Sequence, residues 1–407
     1  MKQGWEIKQL GEVCNLTGGG TPSKKIEEYY DGNILWATIR DMNEDILYAT
    51  EHKITQIGLD NSSSNIIPKD NVIIATRVGL GKVCFLLNDT AINQDLKGII
   101  PKNEDEIFNM FLFWWFKNIS EQIVKAGTGA TVQGVKIPFI QSLQFPLPPL
   151  DEQKRIVAKL DECFDAIDKA RANVEKNLNN AKELFQSQLN QIFSQPALSE
   201  AEGKGNGWAD KRIEEMTENV SKGSSPKWQG INYVENDGIL FITSENVGEA
   251  ELLLHKKKYV EKKFNDKEKK SILKKGDVLT NIVGASIGRT AIYDIDDIAN
   301  INQAVCVIRC NENVLNNYYL MYLLNSPFFK TILHENEVNN ARANLSLTFF
   351  RNLIIPIPNT TEQQSIVEFI IDLKSQTQAL ESNYQQELAA LDELKKSILQ
   401  KAFMGEL

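Results

Sequence analysis

At 407 residues, with 42% hydrophobic and 24% charged residues, the chain has the composition of an ordinary globular protein and the length for about two to four domains. The net charge of −9 excludes a uniformly basic nucleic-acid binder but not a locally basic one, because binding depends on where cations cluster. The longest apolar run, residues 107–116, is about half the ~20 residues that span a bilayer. The N-terminus lacks the layout of a signal peptide, so no membrane association and a cytoplasmic location are expected.

In chain order, Trp5 and Thr21-Pro22-Ser23-Lys24 precede β-branched, apolar runs at 34–39, 72–76 and 83–87, which read as short strands between Gly, Asn, Asp and Pro turns. An aromatic-rich helix is predicted over 108–116. After a Pro-punctuated stretch comes a long helix whose positions 156, 160, 163, 167, 170, 174, 177, 181 and 184 alternate in steps of four and three, the spacing of a coiled-coil seam. Asp151 is its expected N-cap and Pro196 its expected stop. Linker composition over 194–207 leads to a second series: Trp208, Ser225-Pro226-Lys227, strand-like runs at 239–243, 277–283, 290–293 and 304–308, and an aromatic helix at 318–324. The second long helix repeats the seam at 366, 370, 373, 377, 380, 384, 387, 391 and 394, with Thr360 or Thr361 as N-cap and a capping box between Thr360 and Gln363.

The two series are one motif written twice. "PLPPLDEQKRIV" (146–157) matches "PIPNTTEQQSIV" (356–367) at an offset of 210, the difference between Glu362 and Glu152. Upstream the offset drifts through 209 at Asn93-Gln94 and Asn302-Gln303 to 203 at Trp5 and Trp208, as loops of changing length require. Gly284-Ala285-Ser286-Ile287-Gly288 fits the G-x-S-x-G pattern of hydrolase elbows. A β-run and not a helix follows it, and Ser286 falls opposite Gly79 in the other copy, so a turn between strands is the better reading. The five cysteines are scattered and lack the partners of a metal site, so packed thiols and no bound metal are expected. Residues 251–275 hold ten lysines against four acids, a local basic surface or a solvated face.

The tandem units, each followed by P-x-P-x-x-x-E-Q at Pro146, Pro148, Glu152, Gln153 and at Pro356, Pro358, Glu362, Gln363, resemble the specificity subunit of a type I DNA restriction-modification system. "GGGTPSK", "VGASIGR", "INQ" in both halves and the C-terminal "SILQKAFMGEL" extend the resemblance over nearly the whole chain. Ala341-Arg342, in place of Gly129-Ala130, departs from it. The resemblance implies a mixed α/β (α+β) fold of two tandem target recognition domains, at 1–150 and 208–359, each reading half of a split, asymmetric double-stranded DNA target. The long helices, 151–195 and 360–407 around a linker at 196–207, would form an antiparallel coiled coil with pseudo-twofold symmetry. Two methyltransferase (M) subunits and restriction (R) motor-nuclease subunits are the implied protein partners, with no catalysis and no cofactor in the chain itself. Consistent with that, neither a complete phosphate loop nor an Asn/Asp-Pro-Pro-Tyr motif is present. A coiled-coil scaffold that binds proteins without DNA specificity is the alternative.

Phosphate contacts set affinity and base-edge contacts set sequence choice. Candidate phosphate contacts are Ser23 and Lys24, Ser225 and Lys227, the cations Lys82 and Arg289 that follow equivalent glycines, and Lys256, Lys257 and Lys258. Candidate base readers, placed where the halves differ, are Arg40, Arg77, Asn246 and Arg342, since Arg suits guanine and Asn adenine. Glu152, Gln153, Glu362 and Gln363 are assigned to subunit binding and the helix motif.

Overall fold

A computed structural model describes the backbone of residues 4–128, 134–201, 207–235, 237–339 and 343–407, with side chains except at 195–201 and 339. The chain divides into two units, one of Met1–Glu175 with Gln386–Leu407 and one of Lys176–Gln385. Each combines small β-sheets, an aromatic helix and segments of both long helices.

In the first unit the apolar run Val72–Ala75 is buried along its whole length, as expected for a strand covered on both faces. It pairs antiparallel with Leu96–Pro101 and Val83–Leu86; Cys14–Gly18 and Ile46–Leu47 complete a five-stranded sheet. A second, four-stranded sheet runs in the order His52–Ile54, Tyr30–Ala37, Thr90–Ile92, Asn65–Ile67. Here Trp36 lies between His52 on the antiparallel side and Ala91 on the parallel side. A ribbon of Glu6–Gln9 and Gln144–Leu147 brings the chain to the long helix. The aromatic helix Asn109–Asn118 fills the core, with Phe111 and Trp115 edge-on to Phe145 at 5.9 and 4.9 Å and packed with Ile156 and Leu160. Burying each such side chain is worth about 1.5–3 kcal/mol.

The second unit repeats this plan. Its first sheet has the order Thr217–Lys222, Val305–Cys310, Val278–Asn281, Thr290–Ile292, and its second Tyr233–Val234, Tyr259–Val260, Ile239–Ile242, Ala299–Ile301. The parallel pairing recurs, with Leu240 beside Ala299 as Leu35 is beside Thr90. The aromatic helix Asn317–Asn325 buries Tyr319, Leu320, Leu323 and Leu324.

The long helices span Leu150–Ala201 and Thr360–Met404 and pack against each other. Within the first unit, Arg155 donates to the Leu407 carbonyl at 2.6 Å, Asp168 meets Lys395 at 3.4 Å, and Arg171 meets Asp392, so the partner number falls as the first helix advances. Within the second, Leu189 and Phe193 share a core with Val367 and Ile370. The segments are antiparallel in both units.

Three expectations about these helices are corrected. Pro196 does not stop the first, which continues to Ala201; the missing proline N–H weakens the ladder near its end without breaking it. The N-caps also differ. Asn359 accepts from the Glu362 N–H at 3.0 Å, so Thr360 is already helical and forms no box with Gln363, while the first helix starts at Leu150 with the Pro149 carbonyl accepting from Glu152 and Gln153. Finally, the seam slips. Asn177, Leu184, Leu380, Glu387 and Leu394 are exposed, and Leu178, Phe185, Leu388 and Ile398 are covered instead, while Ala181, Tyr384 and Leu391 of the expected series stay covered. A helix of 3.6 residues per turn drifts about 20° per heptad against a strict seven-residue repeat, so over several heptads the buried stripe moves on by one residue.

Cys14, Cys84, Cys306 and Cys310 are buried free thiols, and burial pushes each up to about 12. Among the described residues no His, Cys, Asp and Glu cluster could hold a metal ion, and no helix is long and apolar enough to cross a membrane.

Candidate nucleic-acid interface

The strand Tyr30–Ala37 ends in a tight turn. The Thr38 N–H and hydroxyl both donate to Asp41 Oδ2, at 2.7 and 2.9 Å, and the turn holds Arg40 outward between them. Arg40, Lys24, Thr21, His52 and Gln94 share a cleft of about 720 Å³ whose apolar wall includes Tyr30, Trp36 and Ile39. Asp95 lies there too and takes Arg77 at 3.6 Å, turning one candidate reader into half of an ion pair. Ser23 is exposed beside Lys24, and its carbonyl accepts from the Ile26 N–H at 3.1 Å.

The second unit builds the same turn. Thr243 donates its N–H and hydroxyl to Asn246 Oδ1 at 3.0 and 3.1 Å, so Asn246 stands where Asp41 does. Asn246 is 3% exposed and its amide nitrogen donates to the Leu253 and Lys256 carbonyls. That corrects its assignment as a base reader: both ends of its side chain are consumed in holding the turn. The outward residue is Glu245, paired with Lys258 at 2.9 Å; this bond and the charge of Lys258 hold its carboxyl below the usual carboxylate range.

Lys82 and Arg289 follow Gly81 and Gly288, which share the left-handed conformation at φ +85°. A Cβ on Gly81 would lie 2.8 Å from Val124, so both space and φ require glycine. Lys82 donates to Asn43 at 3.2 Å, whereas Arg289 is exposed. Ser286 lies in a single turn of 3₁₀ helix before the strand Thr290–Ile292 and accepts from Asn281 at 3.2 Å; this is a structural turn and not a nucleophile elbow.

Gln153 and Gln363 have no exposed surface, which corrects their assignment to subunit binding. Gln153 accepts from the Phe108 N–H and donates to the Glu106 and Pro148 carbonyls, each at 2.8 Å. Gln363 repeats all three bonds with Asn316 N–H, Val314 and Pro358, at 2.8, 3.0 and 2.9 Å. Each glutamine ties the start of its long helix to the loop before the aromatic helix and to the proline-rich strand end. Glu152 is bridged by Arg155 at 2.7 Å, and Glu362 accepts from the Trp208 indole at 2.8 Å.

The model of the type I restriction modification DNA specificity domain matches residues 2–177 and 205–390. The chain belongs to this family. It is 26% identical to the MjaIX specificity subunit of Methanocaldococcus jannaschii, across 99% of this chain and 93% of that one, and 27% identical to the EcoBI specificity subunit of Escherichia coli, across 76% and 68%. In fold it is similar to a chain from a solved structure of the type I R-M system (TM-score 0.73, 22% identity, covering 100% and 99%) and to the HsdS subunit of Thermoanaerobacter tengcongensis (TM-score 0.64, 22% identity, covering 100% and 98%).

In this specificity-family chain the lysine-rich run is less basic than it reads. Lys258 is joined to Glu245, Lys262 to Asp237 at 2.8 Å, Lys263 to Glu261 at 3.1 Å and Lys275 to Asp296 at 3.0 Å. Lys256 and Lys257 remain exposed. Ser225 precedes the turn Pro226–Gln229, which exposes Lys227 and leaves Trp228 77% exposed. Arg342 lies outside the described residues. Sequence reasoning missed three features of this family member: Trp228, His52 and the outward Glu245. For Glu245 the signal was present, since Thr38-Ile39-Arg40-Asp41 aligns with Thr243-Ser244-Glu245-Asn246.

Proposed function

We propose that this chain is the DNA-recognition subunit of a type I restriction-modification complex. Its recognition domains, taken as 1–150 and 208–359, each read one half of a bipartite, asymmetric double-stranded target. Two methyltransferase subunits and the restriction motor-nuclease subunits dock on it in the cytoplasm, and it performs no chemistry itself. One observation carries the reading: the two units hold matching turns with matching hydrogen bonds, yet the outward residue is Arg40 in one and Glu245 in the other. A protein that reads two different half-sites needs a common frame with exchanged contacts. Cations after the twin glycines, Lys82 and Arg289, suit phosphate contacts common to both halves.

The test is to map methylated bases genome-wide with and without this gene, and to measure DNA binding by the assembled complex against salt. A split methylated sequence that vanishes with the gene, and affinity that falls steeply with salt, are expected. Unchanged methylation together with salt-insensitive or absent DNA binding would favour a protein scaffold. The purified chain alone turns over no S-adenosylmethionine on this reading.

A further inference from the structure

The residue that faces each outward side chain also exchanges between the units. In the first unit His52 lies beside Trp36 on the neighbouring strand and lines the cleft with Arg40. In the second, Phe241 occupies the place of Trp36, and its N–H donates to the carbonyl of Lys258 at 2.8 Å, so Lys258 stands where His52 does. Each unit therefore presents a two-residue pair on one frame: Arg40 with His52, and Glu245 with Lys258. Among the described residues no carboxylate pairs with the Arg40 guanidinium, so its donor fork is unspent. Glu245 has two carboxylate oxygens and the Lys258 bond uses Oε2.

Resting on the recognition role proposed above, we infer that these pairs are base-reading positions, Arg40 for a guanine edge in one half-site and Glu245 for the amino group of cytosine in the other. The chemistry follows from donors and acceptors. Guanine offers O6 and N7 to a two-pronged donor, and cytosine offers its N4 amino group to a carboxylate. Both residues thus select a G·C pair, one through its guanine and the other through its cytosine. His52 and Lys258 are their neighbours: His52 lines the cleft with Arg40, and Lys258 holds the Glu245 carboxylate in place. Asp41 and Asn246 are excluded from reading because the turn consumes them.

The experiment uses the full chain co-produced with its methyltransferase subunits, with the methylated sequence read out for Arg40→Ala, Arg40→Lys and Glu245→Ala. All three changes are at exposed positions, and Thr38 with Asp41 or Thr243 with Asn246 still closes the turn. Arg40→Ala is expected to lower discrimination at one base pair of one half-site by on the order of ten- to a hundredfold, leaving the other half-site intact. Glu245→Ala does the same at one base pair of the other. Arg40→Lys retains the charge but loses the fork, so it relaxes the same base pair as Arg40→Ala; this variant decides the matter if Arg40→Ala abolishes methylation. An unchanged sequence in Arg40→Lys and Glu245→Ala, or relaxation spread over both half-sites by either, overturns the assignment while leaving the recognition role standing. A wild-type complex that methylates no split sequence overturns both.

Discussion

The two units share buried ties and turn geometry while exchanging the residues at one exposed turn. Gln153 and Gln363 make the same three hydrogen bonds, and Gly81 and Gly288 share one backbone conformation. Against that, Arg40 is replaced by Glu245 and His52 by Lys258 at equivalent places. Interior divergence does occur: Asp277 holds Arg309 through two bonds of 2.8 and 2.7 Å where the first unit has Asn71 and Ile100. In the first unit the Asn71 amide donates instead to the Pro68 and Lys69 carbonyls. A repeated frame with exchanged surface contacts is what separates holding a shape from choosing a ligand.

The strongest way to break the likeness is at the glutamine ties. Gln153→Leu strands one N–H and two carbonyls inside the first unit, and each unsatisfied buried group costs about 1–3 kcal/mol, so a loss on the order of 5 kcal/mol is expected. Amide exchange at Phe108 should accelerate while that at Asn316 in the second unit keeps its protection. Gln363→Leu should reverse the pattern. Equal loss in both units from either change would mean that the ties are not local.

Next in size are the phenylalanines near the helix ends. Phe403 packs on Phe111 in the first unit at 5.0 Å, and Phe193 packs on Tyr319 in the second at 5.5 Å. Each unit is thus filled by the long helix that begins after the other recognition region. Truncating a buried phenylalanine to alanine costs about 3–5 kcal/mol, which applies in full to Phe193 and in part to the half-buried Phe403. Phe403→Ala should therefore lower the melting temperature of the first unit, and Phe193→Ala that of the second, each detected by amide exchange in the respective aromatic helix. Protection lost in the unit where the helix begins, and kept where it ends, would contradict this pairing.

Much of this was legible in the sequence, and the failures have physical causes. The duplication, the strands 72–76 and 83–87, both aromatic helices and the long helices follow from local pattern, because period and turn residues act over a few positions. Gln153 was visible as part of a motif, but its hydrogen-bond partners lie up to 47 residues away, so its burial was not. The seam slip at Asn177 and Glu387 escaped because a seven-residue template cannot register slow drift. In the sequence, a side-chain amide such as Asn246 reads alike inside or out; only the Thr243 contact shows that the turn consumes it. The twin Leu189-x-x-x-Phe193 and Leu399-x-x-x-Phe403, at the same offset of 210 as the glutamines, is a sequence signal for the helix ends that pack into the cores.

The smallest expected effect concerns Lys256 and Lys257. Lys258 is excluded from this test because it is bonded to Glu245, and replacing it would disturb the outward pair as well as remove a charge. Lys256→Gln with Lys257→Gln removes two exposed cations from the second unit and leaves the turn at Thr243 closed by Asn246. If both lysines meet phosphates, the slope of log affinity against log salt should flatten by about 0.9 per contact, up to about 1.8 in all. Matched and mismatched DNA should weaken alike, and the methylated sequence should not change, because a phosphate looks the same beside every base. A slope identical to wild type would make these lysines a solvated face with no counterpart needed in the first unit. Weakening confined to the matched site would instead move them into the base-reading group with Glu245 and enlarge the difference between the two units.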